Sequence, residues 1–331
     1  MDRLSPVTTG RRLLWIGAML LGCTAAASLG RALTSTVTAA LAGAPIGWLD
    51  LLALPSERVD LYLPLFLVSI LLIELVQNGW QKSALRRLLG QSDASTRTDL
   101  AYFIIAVTRL MPVIAFVLAL GANRFISGLT DLGIELRLCG ELPLAVAVPG
   151  VFAVQSFVGY WIHRVFHTPL FWPLHAVHHA AADFNVVTTV RHHPIDGVIG
   201  TIALPLMPAL LGFSVEAISI SVYVIAGYTI YVHSNLPTSA FLERWVAFGP
   251  HGHGIHHGRD PGCFNTNFGD FVIWDRLLGT YKTDVPEPLV YGCADPEGIY
   301  QSGHPFRDMI AVQAGWLRNL WRVARAGCRP S

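Results

Sequence analysis

The sequence has little charge and no paired cysteines. Only 14% of its 331 residues are Asp, Glu, Lys or Arg, and the 23 basic residues nearly balance the 22 acidic ones. A net charge of +1 gives no general attraction for nucleic acid or for acidic partners. The five cysteines are scattered and none forms a CxxC pair, so neither a disulfide framework nor a thiolate zinc site is indicated.

Apolar residues, in contrast, make up 53% of the chain and form long runs. A transmembrane helix needs about 20 mostly apolar residues. Four runs meet that length, and a fifth is long enough for a hairpin of two helices broken near Gly212-Phe213-Ser214, with Pro205 and Pro208 kinking its first arm. The five runs are Leu13–Leu29, Leu61–Gly79, Leu100–Gly121, Leu142–Ile162 and Val198–Val232. We predict an all-α polytopic membrane protein with about six transmembrane helices.

The first run has an alternative interpretation as a secretory signal that is cleaved before Cys23. We favour a membrane helix, because the apolar run is longer than a signal requires and the bulky Leu21 stands where a small residue is expected.

The distribution of basic residues predicts the orientation of these helices. Cytoplasmic loops are enriched in Lys and Arg, and such residues precede the first run and separate the second from the third, whereas acidic residues offset them in the segments 30–60 and 122–141. The N-terminus is therefore predicted to be cytoplasmic, and so are all twelve histidines from His163 to His257. These histidines would form a cytoplasmic cap on the membrane helices.

Two further patterns concern the membrane. Glu74 and Arg109 fall within roughly 5 Å of the same depth in antiparallel predicted helices. We expect them to pair, either as a structural salt bridge or as a polar lining of the substrate path. Near the C-terminus, the segment from Met309 to Ala326 mixes apolar residues with three arginines, as in a helix that lies on a membrane surface.

The spacing of the histidines is the most specific signal in the chain. One HxxxH motif begins at His163, and two HxxHH motifs begin at His175 and His253. On a helix, intervals of three and four residues place side chains on one face, where they can converge on an ion. A neutral imidazole is a good ligand for iron and withstands oxidants better than a thiolate does. Zinc-finger and metalloprotease sites fit less well, because there is no HExxH and no paired Cys set.

Further motifs accompany the histidines. They are Arg191-His192-His193-Pro194, His233-Ser234-Asn235, Asn267-Phe268-Gly269 and the run from Trp274 to Thr280. With the HxxxH and HxxHH motifs they resemble the RxHP, HSN, NYG and WDxxxGT elements of the fatty acid hydroxylase and sterol desaturase superfamily of integral membrane di-iron enzymes. The resemblance covers roughly Val148 to Lys282.

Carried over position by position, the resemblance implies ten metal ligands that also form the catalytic site. They are His163, His167, His175, His178, His179, His193, His233, His253, His256 and His257. His192 and His251 fall at variable positions of the motifs and are left out. Four acids are candidate partners for the outward ring nitrogens, or ordinary loop acids: Asp183, Asp196, Asp270 and Asp275.

The resemblance implies O2-dependent hydroxylation of a lipid C–H bond at two iron ions. Hydroxylation is favoured over desaturation, because acyl-CoA desaturases have a longer interval in their first motif. Desaturation stays open, as does the choice among acyl chain, head group, sterol-like and carotenoid substrates. No HPGG element, flavin fingerprint or ferredoxin-like Cys set occurs in the sequence. Electrons are therefore expected from a separate donor of the cytochrome b5 or ferredoxin type with its reductase.

The expected organisation has three parts: a transmembrane region at residues 1–141, a catalytic domain at 142–283, and a cytoplasmic tail with an amphipathic helix at 284–331. A membrane metal-binding or transport protein is the alternative from another class. Its ligands would lie near the bilayer midplane, whereas these motifs lie at the ends of the predicted membrane helices. A catalytically inactive scaffold would have lost ligands, and none of the ten is missing.

Overall fold

A computed structural model describes residues 56–90, 93–107, 138–285, 287–295 and 297–327. In these ranges the chain is helical, with strand-like pairing limited to two isolated bridges. The all-α prediction is thus confirmed for this part of the chain. The α-helices are α1 (Ser56–Asn78), α2 (Ala84–Gly90), α3 (Ala94–Val107), α4 (Leu144–Phe166), α5 (Trp172–His179), α6 (Pro194–Leu210), α7 (Val215–Val232), α8 (Ala240–Trp245), α9 (Pro250–His256), α10 (Val272–Leu278) and α11 (Pro305–Gly327). Short 3-10 turns lie at Trp80–Lys82, Val186–Val190 and Pro261–Cys263.

Two of the described helices, α4 and α7, are long and apolar enough to cross a membrane. They correspond to the fourth predicted run and to the second arm of the predicted hairpin. The break between α6 and α7 falls at the predicted turn, where Gly212 has a φ of 85° and Ser214 caps α7 by accepting a hydrogen bond from Ala217 N. A residue with a side chain would be strained at Gly212.

The number of six membrane helices stays a prediction. Helix α1 covers nearly all of the second predicted run. The first run and most of the third lie outside the described residues, as does Arg109. Glu74, the predicted partner of Arg109, is buried and accepts hydrogen bonds from Ala84 N at 2.6 Å and Asn235 N at 3.3 Å.

The C-terminal segment is built into the fold rather than extending from it. Met309 and Val312 of α11 are buried in one apolar cluster with Tyr102 of α3 and with Leu174 and Val177 of α5. Helix α11 therefore packs directly on α5, the helix that carries the first HxxHH motif. Its predicted position on a membrane surface stays a prediction.

Candidate metal centre

Most of the motif histidines lie at the ends of helices, and these ends lie close together. His163 lies in the last turn of α4, and His167 is the residue that caps that helix. Helix α5 ends in its HxxHH motif, and His233 caps α7. Helix α9 carries the motif residues His253 and His256, with His257 as its cap. The four-residue intervals bring the pairs His163 and His167, His175 and His179, and His253 and His257 together, as the spacing predicts.

The histidines form two groups in which the candidate ligand atoms lie within 4.8 Å of one another. The five-histidine group contains His163, His167, His175, His179 and His256, and the four-histidine group contains His178, His233, His253 and His257. The groups adjoin, because the rings of His179 and His257 stack with centroids 4.2 Å apart. The structure therefore brings nine of the ten predicted ligands together.

The ring nitrogens themselves indicate a metal site. In the five-histidine group every Nε2 atom is buried and has no hydrogen-bond partner, and the same holds for His257 Nε2 in the other group. Each unpaired buried polar atom costs roughly 1–3 kcal/mol. Ions between the rings would give these nitrogens their missing partners, so the residues fit a metal centre of two ions.

In the four-histidine group, three Nε2 atoms face one another instead of a hydrogen-bond partner elsewhere in the protein. His233 Nε2 lies 3.3 Å from His178 Nε2 and 3.1 Å from His253 Nε2. A hydrogen between two facing nitrogens can serve only one such contact at a time. A cation among them would satisfy all three lone pairs.

Hydrogen bonds at the opposite ring nitrogen fix the orientation of several imidazoles. An Nδ1–H that donates outward leaves the Nε2 lone pair free to face an ion. The Nδ1 acceptors are Phe268 O for His163 (2.8 Å), Asp196 Oδ2 for His175 (2.9 Å), Thr229 O for His233 (2.7 Å) and Thr266 O for His256 (2.6 Å). Three of these four acceptors are main-chain carbonyls, which no side-chain motif reveals.

Burial keeps these imidazoles neutral. Loss of solvent, reinforced by the neighbouring histidines, lowers the pKa of His167, His178, His179, His253 and His257 well below the ordinary value. Burial likewise lowers the pKa of His233 and of His256 to about 3. The neutral ring is the form that binds metal, so the site is prepared for cations near pH 7.

The structure does not bring His193 into either group. Its Nδ1 accepts a hydrogen bond from Ile195 N at 3.3 Å, and its Nε2 lies 3.1 Å from the carbonyl oxygen of Met309. His192, which the motif comparison leaves out, lies nearer to the centre. Its ring stacks on His178 at 4.3 Å, and its Nδ1 lies 3.1 Å from Asp196 Oδ2. Two consecutive histidines give no spacing signal by which the sequence could separate these roles.

Of the four candidate acids, Asp196 bonds directly to a histidine of a group. Asp183 instead pairs with Arg87 at 2.9 Å. Asp275 accepts hydrogen bonds from Phe268 N and Gly269 N, both at 2.8 Å, and so holds the loop whose Phe268 carbonyl orients His163. The main-chain carbonyl of Asp270 accepts a hydrogen bond from the Tyr228 hydroxyl at 2.9 Å.

Arg191 ties the first HxxHH helix to its surroundings. The side chain is fully buried and donates from Nε to Val177 O at 2.8 Å, one residue before His178. The same guanidinium donates to Asp99 Oδ1 at 2.7 Å and to Tyr300 O at 3.0 Å. Three separate segments are thereby fixed by one planar group, a geometry that lysine cannot reproduce.

Comparison with known proteins finds relatives of the segment that contains these histidines. The fatty acid hydroxylase family model matches residues 148–280. The chain is 30% identical to alkylglycerol monooxygenase from Xenopus tropicalis over 161 residues, which are 48% of this chain and 35% of that protein. It is 33% identical to ornithine lipid hydroxylase OlsE from Rhizobium tropici over 151 residues, which are 45% of each chain. It is 31% identical to Delta(7)-sterol 5(6)-desaturase erg3B from Aspergillus fumigatus over 137 residues, which are 40% of this chain and 38% of that one.

Residues 148–280 therefore form a segment similar to the fatty acid hydroxylase family, and the resemblance predicted from the motifs is confirmed. The chain spans about a third to a half of the length of these curated relatives. No solved structure matches it. Together with α4 and α7, the family match indicates a membrane protein.

Proposed function

We propose that this chain is a membrane oxygenase that hydroxylates a C–H bond of a lipid, with two iron ions as cofactor and O2 as co-substrate. The observation that carries the proposal is the pair of adjoining histidine groups, in which six buried Nε2 atoms have no hydrogen-bond partner within the protein. Iron bound there would supply the activation of O2 that oxidation of an unactivated C–H bond requires.

The protein's own residues hold and orient this centre. We propose the nine histidines of the two groups as the ligands, divided between the ions as the groups are divided. His193 is excluded from the proposed set because both of its ring nitrogens already have main-chain partners. Asp196 would serve as the shared acceptor that holds His175 and His192.

A lipid substrate is supported by position and by the relatives. The centre lies at the ends of α4 and α7, the two helices that are apolar enough to cross a membrane. The names of two relatives specify an alkylglycerol and an ornithine lipid, and both name hydroxylation or monooxygenation. We propose a glycerol ether or an amino-lipid as the first substrates to test. The sterol desaturase among the relatives keeps lipid desaturation as the alternative.

The remaining features of the proposal concern orientation and electrons. We infer from the charge distribution that the protein is multi-pass and that the centre faces the cytoplasm. Two electrons for each turnover would come from a separate cytochrome b5 or ferredoxin type protein with its reductase. Metal transport is disfavoured, because the histidines lie at the ends of α4 and α7 rather than along them.

The test is a comparison of lipids from cells that express the chain, its His179→Ala variant or its His304→Ala variant. Cells would be supplied with alkylglycerols or ornithine lipids under 18O2, and their extracts examined by mass spectrometry. We expect one 18O atom in a lipid of the parent and of His304→Ala cells, and none with His179→Ala. Loss of two hydrogens would favour the desaturase, and unchanged lipids despite a fully metal-loaded protein would contradict both.

A further inference from the structure

A second surface of the chain carries a signal that the metal centre does not explain. Helices α8 and α10 pack together, and with the residue after α8 they leave six large apolar side chains exposed, by 44% to 70%. They are Phe241, Leu242, Trp245, Val246, Ile273 and Leu277, and we call them the apolar patch. Large apolar side chains exposed together on two packed helices indicate a surface that contacts a partner or a membrane.

The depth of α10 along α4 favours a membrane. Trp274 of α10 donates a hydrogen bond from Nε1 to Ser156 Oγ at 2.7 Å, and its ring meets Phe157 edge-on at 5.0 Å. Ser156 precedes His163 by seven residues in α4, which corresponds to about 10 Å along the helix axis. Helix α10 therefore lies beside the apolar body of a candidate membrane helix rather than beyond its end.

The patch also continues the exposed face of α4. Phe157, Trp161 and Val165 follow one another at four-residue intervals on that helix and are 43%, 40% and 45% exposed. Because α4 is a candidate membrane crossing, this stripe is the face it would present to lipid. The contact between Trp274 and Phe157 joins the stripe to α10.

Cationic groups border the patch as they do at a membrane–water boundary. The guanidinium carbons of Arg244 and Arg276 lie 5.3 Å and 4.9 Å from the Trp245 ring centroid. Tryptophan and arginine together are typical of the interface, where the ring lies at the level of the head groups and the charge reaches water.

We propose that the apolar patch inserts into the bilayer leaflet nearest the metal centre, with lipid acyl chains as its occupant. This goes beyond the proposed function and requires only that α4 crosses the membrane. Helix α8 of the patch also contacts the start of α9, which carries histidines of the proposed centre. Glu243 of α8 accepts hydrogen bonds from Gly249 N at 2.9 Å and Gly252 N at 3.0 Å, at the start of the helix that carries His253. Insertion of the patch would thus hold part of the centre at the lipid surface.

The experiment uses the full chain in phosphatidylcholine proteoliposomes with a solvatochromic fluorescent amino acid placed at Leu277 or, in a second variant, at Phe241. The matched control is Val290, an apolar residue that is 62% exposed and lies beside Arg259 and Asp260. We expect blue-shifted emission at both patch positions compared with Val290. Lipids with a nitroxide on the acyl chain should remove most of the patch emission, and aqueous iodide should have little effect.

Two results would overturn the proposal. One is emission at the patch that matches Val290 and is quenched by iodide, which would show that water covers it. The other is a blue shift without quenching by the labelled lipids, which would show that another protein surface covers it. Because emission is measured rather than turnover, the result does not depend on whether the chain is a hydroxylase. The two positions are labelled separately, so a variant that fails to insert leaves the other as the test.

Discussion

Asp196 Oδ2 lies 2.9 Å from His175 Nδ1, and this contact fixes which nitrogen of that imidazole faces the five-histidine group. Loss of such an outer partner typically lowers metal affinity by about 10–100-fold. We therefore expect Asp196→Ala to release metal to a chelator at a lower concentration than the parent does. Asp284→Asn, at an exposed position, is the control and should behave as the parent does. Equal retention of metal by Asp196→Ala and the parent would contradict the proposed role.

The separation into two groups makes a prediction about metal content. Purified parent protein should contain about two ions per chain, because two-metal centres are built from adjacent ligand sets such as these. His167→Ala should lose mainly the ion of the five-histidine group, since the other group shares no residue with it. Elemental analysis measures both quantities. Zinc is able to replace iron in overexpressed protein, so total metal is counted. One ion or none in active parent protein would refute the two-ion centre.

Arg191→Lys tests whether the buried guanidinium holds the HxxHH helix. Lysine lacks the planar fork that reaches Val177 O, Asp99 and Tyr300 O together. A hydrogen bond from a charged group contributes about 1.5–3 kcal/mol, and lysine cannot keep all three, so thermal unfolding in detergent should occur at a clearly lower temperature. Metal content should fall as well, because the anchored helix α5 carries ligands of both groups. Arg259→Lys, on an exposed loop, is the control and should leave both measurements unchanged.

The sequence predicts the parts of this centre that depend on local geometry. The four-residue intervals of the HxxxH and HxxHH motifs place two histidines of each motif in one group. Gly212 indicates the turn between α6 and α7 from its local sequence alone. Hydrophobic runs likewise predict α4 and α7, because their length and composition are set within one segment.

Features that depend on distant segments could not be predicted. His193 lies outside both histidine groups, and its Nε2 contacts the carbonyl oxygen of Met309, 116 residues further along the chain. Nothing near His193 in the sequence specifies that contact. The packing of Met309 and Val312 against α3 and α5 likewise joins segments that are distant in the sequence. The depth of α10 depends in the same way on the bond from Trp274 to Ser156.

The distinction between His193 and the ligands leads to a fourth prediction. His193→Ala removes the hydrogen bond to Met309 O and the one that Ile195 N donates to the ring, so we expect a loss of about 1–3 kcal/mol in stability with metal content retained. His179→Ala should instead lose metal, because its Nε2 has no other partner. Unfolding curves and elemental analysis on the same samples separate the two effects. Loss of an ion from folded His193→Ala protein would show that His193 is a metal ligand after all.

The last prediction concerns the histidine frame of α9, where His251 and His253 are two residues apart. His253 Nε2 lies 3.1 Å from His233 Nε2 inside the four-histidine group, whereas His251 is exposed and its Nδ1 lies 3.7 Å from a Glu287 carboxylate oxygen. Since alternate residues of a helix point to different sides, only one of the two can face the centre. We expect His251→Ala to keep metal and turnover, and His253→Ala to lose both while still inserting into membranes.

The variants His178→Ala, His256→Ala and His257→Ala should behave as His253→Ala does, and the turnover of the exposed His304→Ala should stay within a few-fold of that of the parent. The reverse pattern at His251 and His253 would show that the motif has been aligned in the wrong frame at α9, and the ligand assignment there would fail with it.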